Sequence, residues 1–555
     1  MVQDTFDFIL VGGGLAGCVL ASRLSAALLN HTFLLIEAGP AENERVRPAV
    51  GVFMDDNSEI EWPLRTVPQK SMNGLIMKQE QGKVLGGGSA INYQSWIRGA
   101  RGEYDHWAEK IGDPRWSWQG LLPYFIKSET FLPGLDLVDV DTTVHGTSGP
   151  IKVAQMSSSG LPRNYPLKGF VTQVYRSIGV SFNPDVNSGV TLGYSEHTCS
   201  TYKGQRQWAA SCYPNSDNLT VLCDTHVSKV VFDGVRTTGI ELRTSRGAKM
   251  LLKARQEVIL CSGVYGSPKL LILSGIGPSA QSERLGIPKV LDLPVGENLT
   301  DHLAFMTFWK FPNSLPLEDD IDLLSDKDCD PLAGPPLDYF AFLRHDEESI
   351  QELAQHSLSE ELLRIHLLKD RPHTENYMIY THLDVSIKPT LAAESGTILS
   401  MSHVFVSPTS RGTVRLTSAD PNDLPIIDPR FLSNDLDRQL LYACARSAMN
   451  MMITSETARK YGVQEYGIDE SLRNDVSDAA LGARLNRTGF SMHHPGGTCA
   501  MGSVVDNNCN VIGAEGLRVI DGSIIPFPLG CHYQAPLYAI AEMMSDVIIE
   551  QYQTV

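Results

Sequence analysis

An α/β fold, α+β overall, organised around a Rossmann-like sheet is what the sequence predicts, and two stretches predict it. The first opens the chain. Residues 7–17 read Asp-Phe-Ile-Leu-Val-Gly-Gly-Gly-Leu-Ala-Gly, and Glu37 closes the apolar run Thr32-Phe33-Leu34-Leu35-Ile36. An apolar strand, a glycine turn, a helical stretch from Leu15 to Leu29 and a second apolar strand ending in an acid are the parts of a βαβ dinucleotide site, in order. The second is a series of strand-like runs, Leu219–Leu222, Lys229–Phe232, Gly239–Leu242 and Val258–Cys261. The last passes through Ser262-Gly263 and Gly266-Ser267-Pro268 into a helix at Lys269–Ser274. Strand, small-residue turn and helix put this segment at one edge of the same sheet.

Each part of the first motif has a physical task. Gly12 permits the tight turn, Gly14 lets a pyrophosphate approach the backbone, and Gly17 lets helix and strand pack closely. The helix start at Leu15-Ala16 offers free N–H groups and a positive dipole end to phosphate. Glu37 is placed to accept hydrogen bonds from a ribose. These parts alone do not separate NAD from FAD.

Further along, Val84-Leu85-Gly86-Gly87-Gly88-Ser89-Ala90-Ile91-Asn92 forms a second glycine block, suited to a loop pressed against a flat ligand. Residues 315–375 are rich in helix formers from Glu347 to Leu368 and read as a helical insertion; Glu318-Asp319-Asp320 within it reads as a solvated face. A strand at Thr413–Leu416 and a long helix near Asp435–Met452 follow. The carboxyl end carries Ser491-Met492-His493-His494-Pro495-Gly496-Gly497-Thr498, then Asp521-Gly522-Ser523, then Gly530-Cys531-His532-Tyr533 leading into a helix from Pro536 to Gln551.

Composition excludes several function classes. The chain has 555 residues, 42% hydrophobic and 20% charged, which fits more than one globular domain. A net charge of -18 argues against nucleic acid or an anionic membrane as partner. No apolar run reaches the length of a membrane span. The N-terminus has no basic and apolar leader, so a cytoplasmic location is expected, with the ten cysteines as free thiols. No metal is expected, because cysteine spacings match no zinc pattern and the adjacent His493 and His494 have no third ligand near in sequence.

Taken together, four blocks resemble the glucose–methanol–choline (GMC) oxidoreductases in the family's order. They are Gly12–Gly17 with Glu37, Gly86–Asn92, Ser262–Gly277, and His494 through Asp521 to His532. The resemblance implies FAD as cofactor. It also implies a discontinuous FAD-binding domain (1–155, 205–305 and 488–555) under a sheet-plus-helix substrate domain (156–204 and 306–487). By the same resemblance Gly12, Gly14, Leu15, Ala16 and Gly17 hold the pyrophosphate and Glu37 the adenosine ribose. Gly88 and Asn92 lie along the flavin and ribityl chain, Val227 meets adenine through its backbone, and Asp521 and Gly522 close on the phosphate and ribityl side. Some members attach FAD through a histidine in the second glycine block; Ile91 stands there, so noncovalent FAD is expected.

His494 matches the family's catalytic histidine and His532 its second active-site position, the His/His arrangement of aryl-alcohol oxidases. The expected chemistry is oxidation of an alcohol on a small molecule. His494 takes the hydroxyl proton, His532 holds the hydroxyl, hydride passes to flavin N5, and O2 or another acceptor reoxidises the flavin. A tailoring step in natural-product biosynthesis fits a chain without a leader. The competing class is a lyase or cyclase of the same fold, in which FAD is structural and the histidines do acid–base work alone. His493 reads as structural or pocket-lining, Tyr93 and Trp96 as an aromatic wall or as core, and Cys499 and Cys531 as small buried residues.

Overall fold

Strand Thr5–Val11 is the centre from which the nucleotide sheet is built. The computed structural model describes residues 4–53, 57–135, 140–160, 167–243, 249–312, 335–354, 358–383 and 398–553. On one side Thr5–Val11 pairs in parallel with Phe33–Ile36, and that strand with Leu219–Leu222. On the other it pairs in parallel with Lys249–Leu260. Antiparallel strands Arg236–Arg243 and His226–Asp233 complete that side, and Leu517–Val519 adds to Lys249–Leu260.

The segment ending at Cys261 is therefore central and not at the sheet's edge. Its terminal Val258-Ile259-Leu260 is an unbroken apolar run, fully buried, as expected of a parallel strand covered on both faces. The following helix also starts earlier than its sequence suggests, at Gly263, and carries Pro268 inside it. Proline has no N–H for the carbonyl of Val264. That carbonyl instead accepts the Thr498 hydroxyl at 2.6 Å, which removes the usual cost of an internal proline.

A second, antiparallel sheet runs in the order Gln464–Tyr466, Leu303–Lys310, Ile398–Phe405, Thr374–Ile379, Tyr339–Leu343, Gly193–Glu196, with Phe490–Ser491 added to Leu303–Lys310. The expected helical insertion is thus partly strand. Its described part holds Tyr339–Leu343 and two short helices, Glu347–Ala354 and Glu360–His366. The second helix starts afresh because the Ser359 hydroxyl accepts the N–H of Leu362 as an N-cap. Glu318-Asp319-Asp320 lies outside the described residues.

Two close contacts fix the first helix against the first sheet and the last helix. Helices Leu15–Ala27 and Gln534–Gln553 are joined by Arg23 on the buried carboxylate of Glu542 at 2.7 Å. A β-carbon on Gly17 would lie 2.0 Å from the carbonyl oxygen of Gly12, so only glycine lets the first helix sit this close to the turn.

A buried ionic cluster joins the loop after the second glycine block to the strands beside it. Arg98 meets Glu129 at 2.7 Å, and His145 is held between Glu129 at 2.7 Å and Asp185 at 3.0 Å. Burial disfavours the imidazolium, but hydrogen bonds to Asp185 and Glu129 outweigh it and hold His145 above its ordinary 6.5. A group raised on folding adds stability that is fully present below its unfolded pKa and is lost as pH climbs through the raised value. Thermal stability is expected to fall as pH rises from 6.5 through the raised value, and His145→Gln to flatten that slope. Denaturation midpoints of both proteins across this range check it; equal slopes would contradict it.

Candidate functional site

One elongated cavity of about 820 Å³ runs from the first sheet to the second. Of the residues singled out in the sequence, Gly12, Gly14, Leu15, Ala16, Glu37, Gly88, Asn92, Val227, Asp521, Gly522, His494 and His532 all line it. Gly17 does not reach the wall.

The backbone at one end forms a cradle. Gly12 has φ +104°, and a β-carbon there would lie 2.5 Å from the Cys261 carbonyl oxygen. Gly87 has φ +52° and approaches Gly14 so closely that a β-carbon would sit 2.7 Å from the Gly14 Cα, while a β-carbon on Gly88 would meet nothing within 4 Å. No side chain caps the helix that starts at Leu15. Its first N–H groups are thus left for an anion. Glu37 accepts the N–H groups of Gly13 and Gly39, each at 2.9 Å, and burial pushes its carboxyl up to about 7 despite these donors. A carboxylate keeps lone pairs beyond those two bonds, and ribose hydroxyls are fitting donors for them. Val227 lines the wall from a strand in register with Leu242. Asp521 accepts Gly263 N–H at 2.9 Å, the Ser267 hydroxyl at 2.6 Å and Ser523 N–H at 2.8 Å, which fixes the wall it forms with Gly522. Asn92 is held by Arg206, whose Nη1 donates to its Oδ1 at 2.8 Å, and by Gln534. A phosphate-sized backbone cradle, an acid for ribose and a flat glycine wall fit FAD.

The other end carries the imidazoles. The turn after Phe490–Ser491 puts His493 in the left-handed region, φ +58°, and sends the two neighbouring rings to different partners. His493 Nδ1 accepts the Glu80 N–H at 3.2 Å, and its Nε2 lies 3.5 Å from Glu80 Oε2. His494 is anchored by its own N–H on Asp301 Oδ1 at 3.0 Å, and its Nδ1 lies 3.0 Å from His302 Nδ1. His532, from the loop before the last helix, has its ring centroid 4.5 Å from that of His494 and donates Nε2–H to both oxygens of buried Glu375, at 3.0 and 3.1 Å. Burial, then the neighbouring imidazoles of His532, His302 and His493, push His494 well below 6.5. The ring is neutral at neutral pH. Around it the second sheet presents apolar Met306, Phe340, Tyr377 and Ile379.

Tyr93 lines the cavity, but Trp96 does not; it packs on Tyr538 and donates its Nε1–H to Glu129 at 2.8 Å. Cys499 and Cys531 are fully buried, and Cys531 packs beneath Gly99. Among the described residues no cluster of three potential metal ligands occurs, and no helix is long and apolar enough to cross a membrane. Sequence reasoning missed Asp301, His302 and Glu375. The pair Asp301-His302 directly precedes a strand that is buried at seven of its eight positions, a signal that could have been read. Glu375 sits in a strand whose six positions are all buried, and an acid in such a strand needs a partner.

Comparison with known proteins agrees with this geometry. Family models described as GMC oxidoreductase match residues 6–304 and 408–541. The GMC-type oxidoreductase acuG of Aspergillus aculeatus is 35% identical over 556 residues, covering 99% of this chain and 100% of the relative. Versicolorin B synthase of Aspergillus parasiticus is 30% identical over 597 residues, covering 98% of this chain and 88% of the relative. Among solved structures, a mutant formate oxidase of Aspergillus oryzae superposes with a TM-score of 0.86 at 27% identity, with 99% of each chain covered. The chain belongs to the GMC oxidoreductase family and takes FAD as its cofactor.

Proposed function

We propose that this protein oxidises the CH–OH group of a small organic alcohol, with His494 as the general base. The observation that carries this reading is the meeting of two imidazoles, 4.5 Å apart, at one end of the FAD cavity, with the base ring neutral. Bound FAD supplies the two-electron acceptor for the carbinol hydrogen. The chain's residues do the rest. His494 accepts the hydroxyl proton, which can be worth about 10²–10⁴-fold. His532 is oriented by Glu375 and by stacking on Phe340, and holds the hydroxyl in place. Met306, Phe340, Tyr377 and Ile379 bind the carbon skeleton and exclude water. The domain division given from the sequence, the assigned cofactor contacts and O2 or another acceptor belong to this same proposal. The synthase name of one relative supports a tailoring step in natural-product biosynthesis. Anaerobic mixing with candidate alcohols tests the reading: the flavin is expected to bleach.

A second reading has one observation in its favour. The pairing of His532 with buried Glu375 is an acid–base device that would also serve a lyase or cyclase using FAD structurally. Turnover of a substrate without flavin bleaching would select it.

Because His494 is held below 6.5, flavin reduction is expected to stay near its full rate as pH is lowered to that value, and to fall only beneath it. A rate that already drops between neutral pH and 6.5 would contradict this. Acid or heat is expected to release the flavin, since Ile91 stands at the attachment position and no cysteine or histidine lies between residues 79 and 99. Flavin remaining on the denatured polypeptide would sink that expectation.

A further inference from the structure

His302 and His494 face each other through like atoms, Nδ1 to Nδ1 at 3.0 Å, with ring planes 84° apart. Two ring nitrogens at that distance share one proton, so one donates and the other accepts. Burial holds both rings neutral, and it pushes His302 down to about 3. A neutral imidazole has a single N–H. The direction of this hydrogen bond therefore decides where the lone pair of His494 lies.

If His302 donates, the only proton of His494 must sit on Nε2, and the ring has no lone pair left for an alcohol. If His494 donates, its Nε2 is bare and His302 carries its proton on Nε2. Only the second arrangement leaves His494 a lone pair for the alcohol proton, so its role as base separates the two. Nε2 of His302 is buried and makes no hydrogen bond among the described residues, so Nδ1 is the ring's one bonded nitrogen. His532, His493, Asp301, Arg371 and Tyr533 are the other titratable groups around the pair, and none of them makes a hydrogen bond to either Nδ1.

We propose that His302 is a positioning residue: it accepts the Nδ1–H of His494 and so fixes the tautomer in which His494 Nε2 presents its lone pair to the cavity. The proposal deepens the reading of His494 as base and rests on it. No redox change is involved; the proton shared at Nδ1 stays with His494, and the alcohol proton arrives at Nε2. Loss of the tautomer-setting partner is known to be severe in the serine-protease triad, about 10⁴-fold in turnover.

The test uses FAD-loaded enzyme carrying ¹⁵N-labelled histidine, with the His494 signals assigned by their absence in His494→Ala. Two variants frame it. His302→Asn places an amide oxygen near the former Nδ1 and keeps an acceptor; His302→Phe keeps the bulk and removes it. Wild type and His302→Asn are expected to show a protonated Nδ1 and a bare Nε2 on His494, and His302→Phe a mixture. Anaerobic flavin reduction should stay close to wild type in His302→Asn and fall at least about tenfold in His302→Phe with FAD content unchanged. A protonated Nε2 on His494 in wild type overturns the proposal, as does a His302→Phe enzyme unchanged in both spectrum and rate. If His302→Phe does not fold, the wild-type and His302→Asn spectra decide. If no alcohol bleaches the flavin, the alcohol reading fails, while the spectra still settle the tautomer.

Discussion

His494→Ala is expected to slow flavin reduction by an alcohol about 10²-fold or more while FAD stays bound. The substitution leaves the backbone N–H of residue 494 on Asp301, so the turn that shapes the cavity wall persists. What disappears is the neutral ring that can take the hydroxyl proton. His493 also lines the cavity but is not expected to replace it, because its left-handed backbone and its bond to Glu80 turn its ring to another partner. His532 is paired with Glu375 and in this reading holds the hydroxyl, so its loss and that of His494 should differ in size. Stopped-flow reduction without oxygen checks this. A fast His494→Ala beside a dead His493→Ala would show that the base has been placed one residue off. His532→Ala is expected to be milder in rate but to lose stability, because Glu375 would be left as a buried carboxylate without its donor. His532→Asn should be milder in rate, since its amide, near the former Nδ1, can still bond the hydroxyl, but it does not reach Glu375 and should lose stability as well.

Glu37→Ala is expected to cost both FAD affinity and stability. From sequence the residue looks like a ribose ligand whose loss would spare the fold. The structure adds the N–H groups of Gly13 and Gly39, buried and bonded to its two oxygens. Leaving them unsatisfied costs roughly 1–3 kcal/mol each. The lost charged acceptor for the ribose is worth about 1.5–3 kcal/mol, or about tenfold to a hundredfold in affinity. Fluorimetric FAD titration and a melting curve measure the two effects separately. Full flavin occupancy after extensive dialysis would show that Glu37 does not hold the ribose.

Local motifs made half of this molecule legible. The turn at Gly12, the helix from Leu15 and the acid at Glu37 are contiguous, and each glycine answers a constraint that a short window of sequence expresses. The second glycine block and the His494 and His532 turns could be read the same way, because glycine and proline punctuate them. What escaped reading depends on contacts between distant residues. Pro268 looks like a helix start until Thr498 is seen on the carbonyl it frees. Lys249–Leu260 looks like an edge until Thr5–Val11 and Leu517–Val519 are seen to pair with it. Glu375 and His302 lie 157 and 192 residues from the histidines they bond, so no spacing rule reaches them.

The central claim is that FAD in this cavity receives the hydrogen of a carbinol carbon while His494 receives the proton. Its most direct test is anaerobic bleaching of the bound flavin by a small hydrophobic alcohol, compared with the same alcohol deuterated at the carbinol carbon. Bleaching is expected, slower with deuterium and slower again in His494→Ala. A flavin that stays oxidised with every alcohol tried, yet is reduced normally by dithionite, would contradict it.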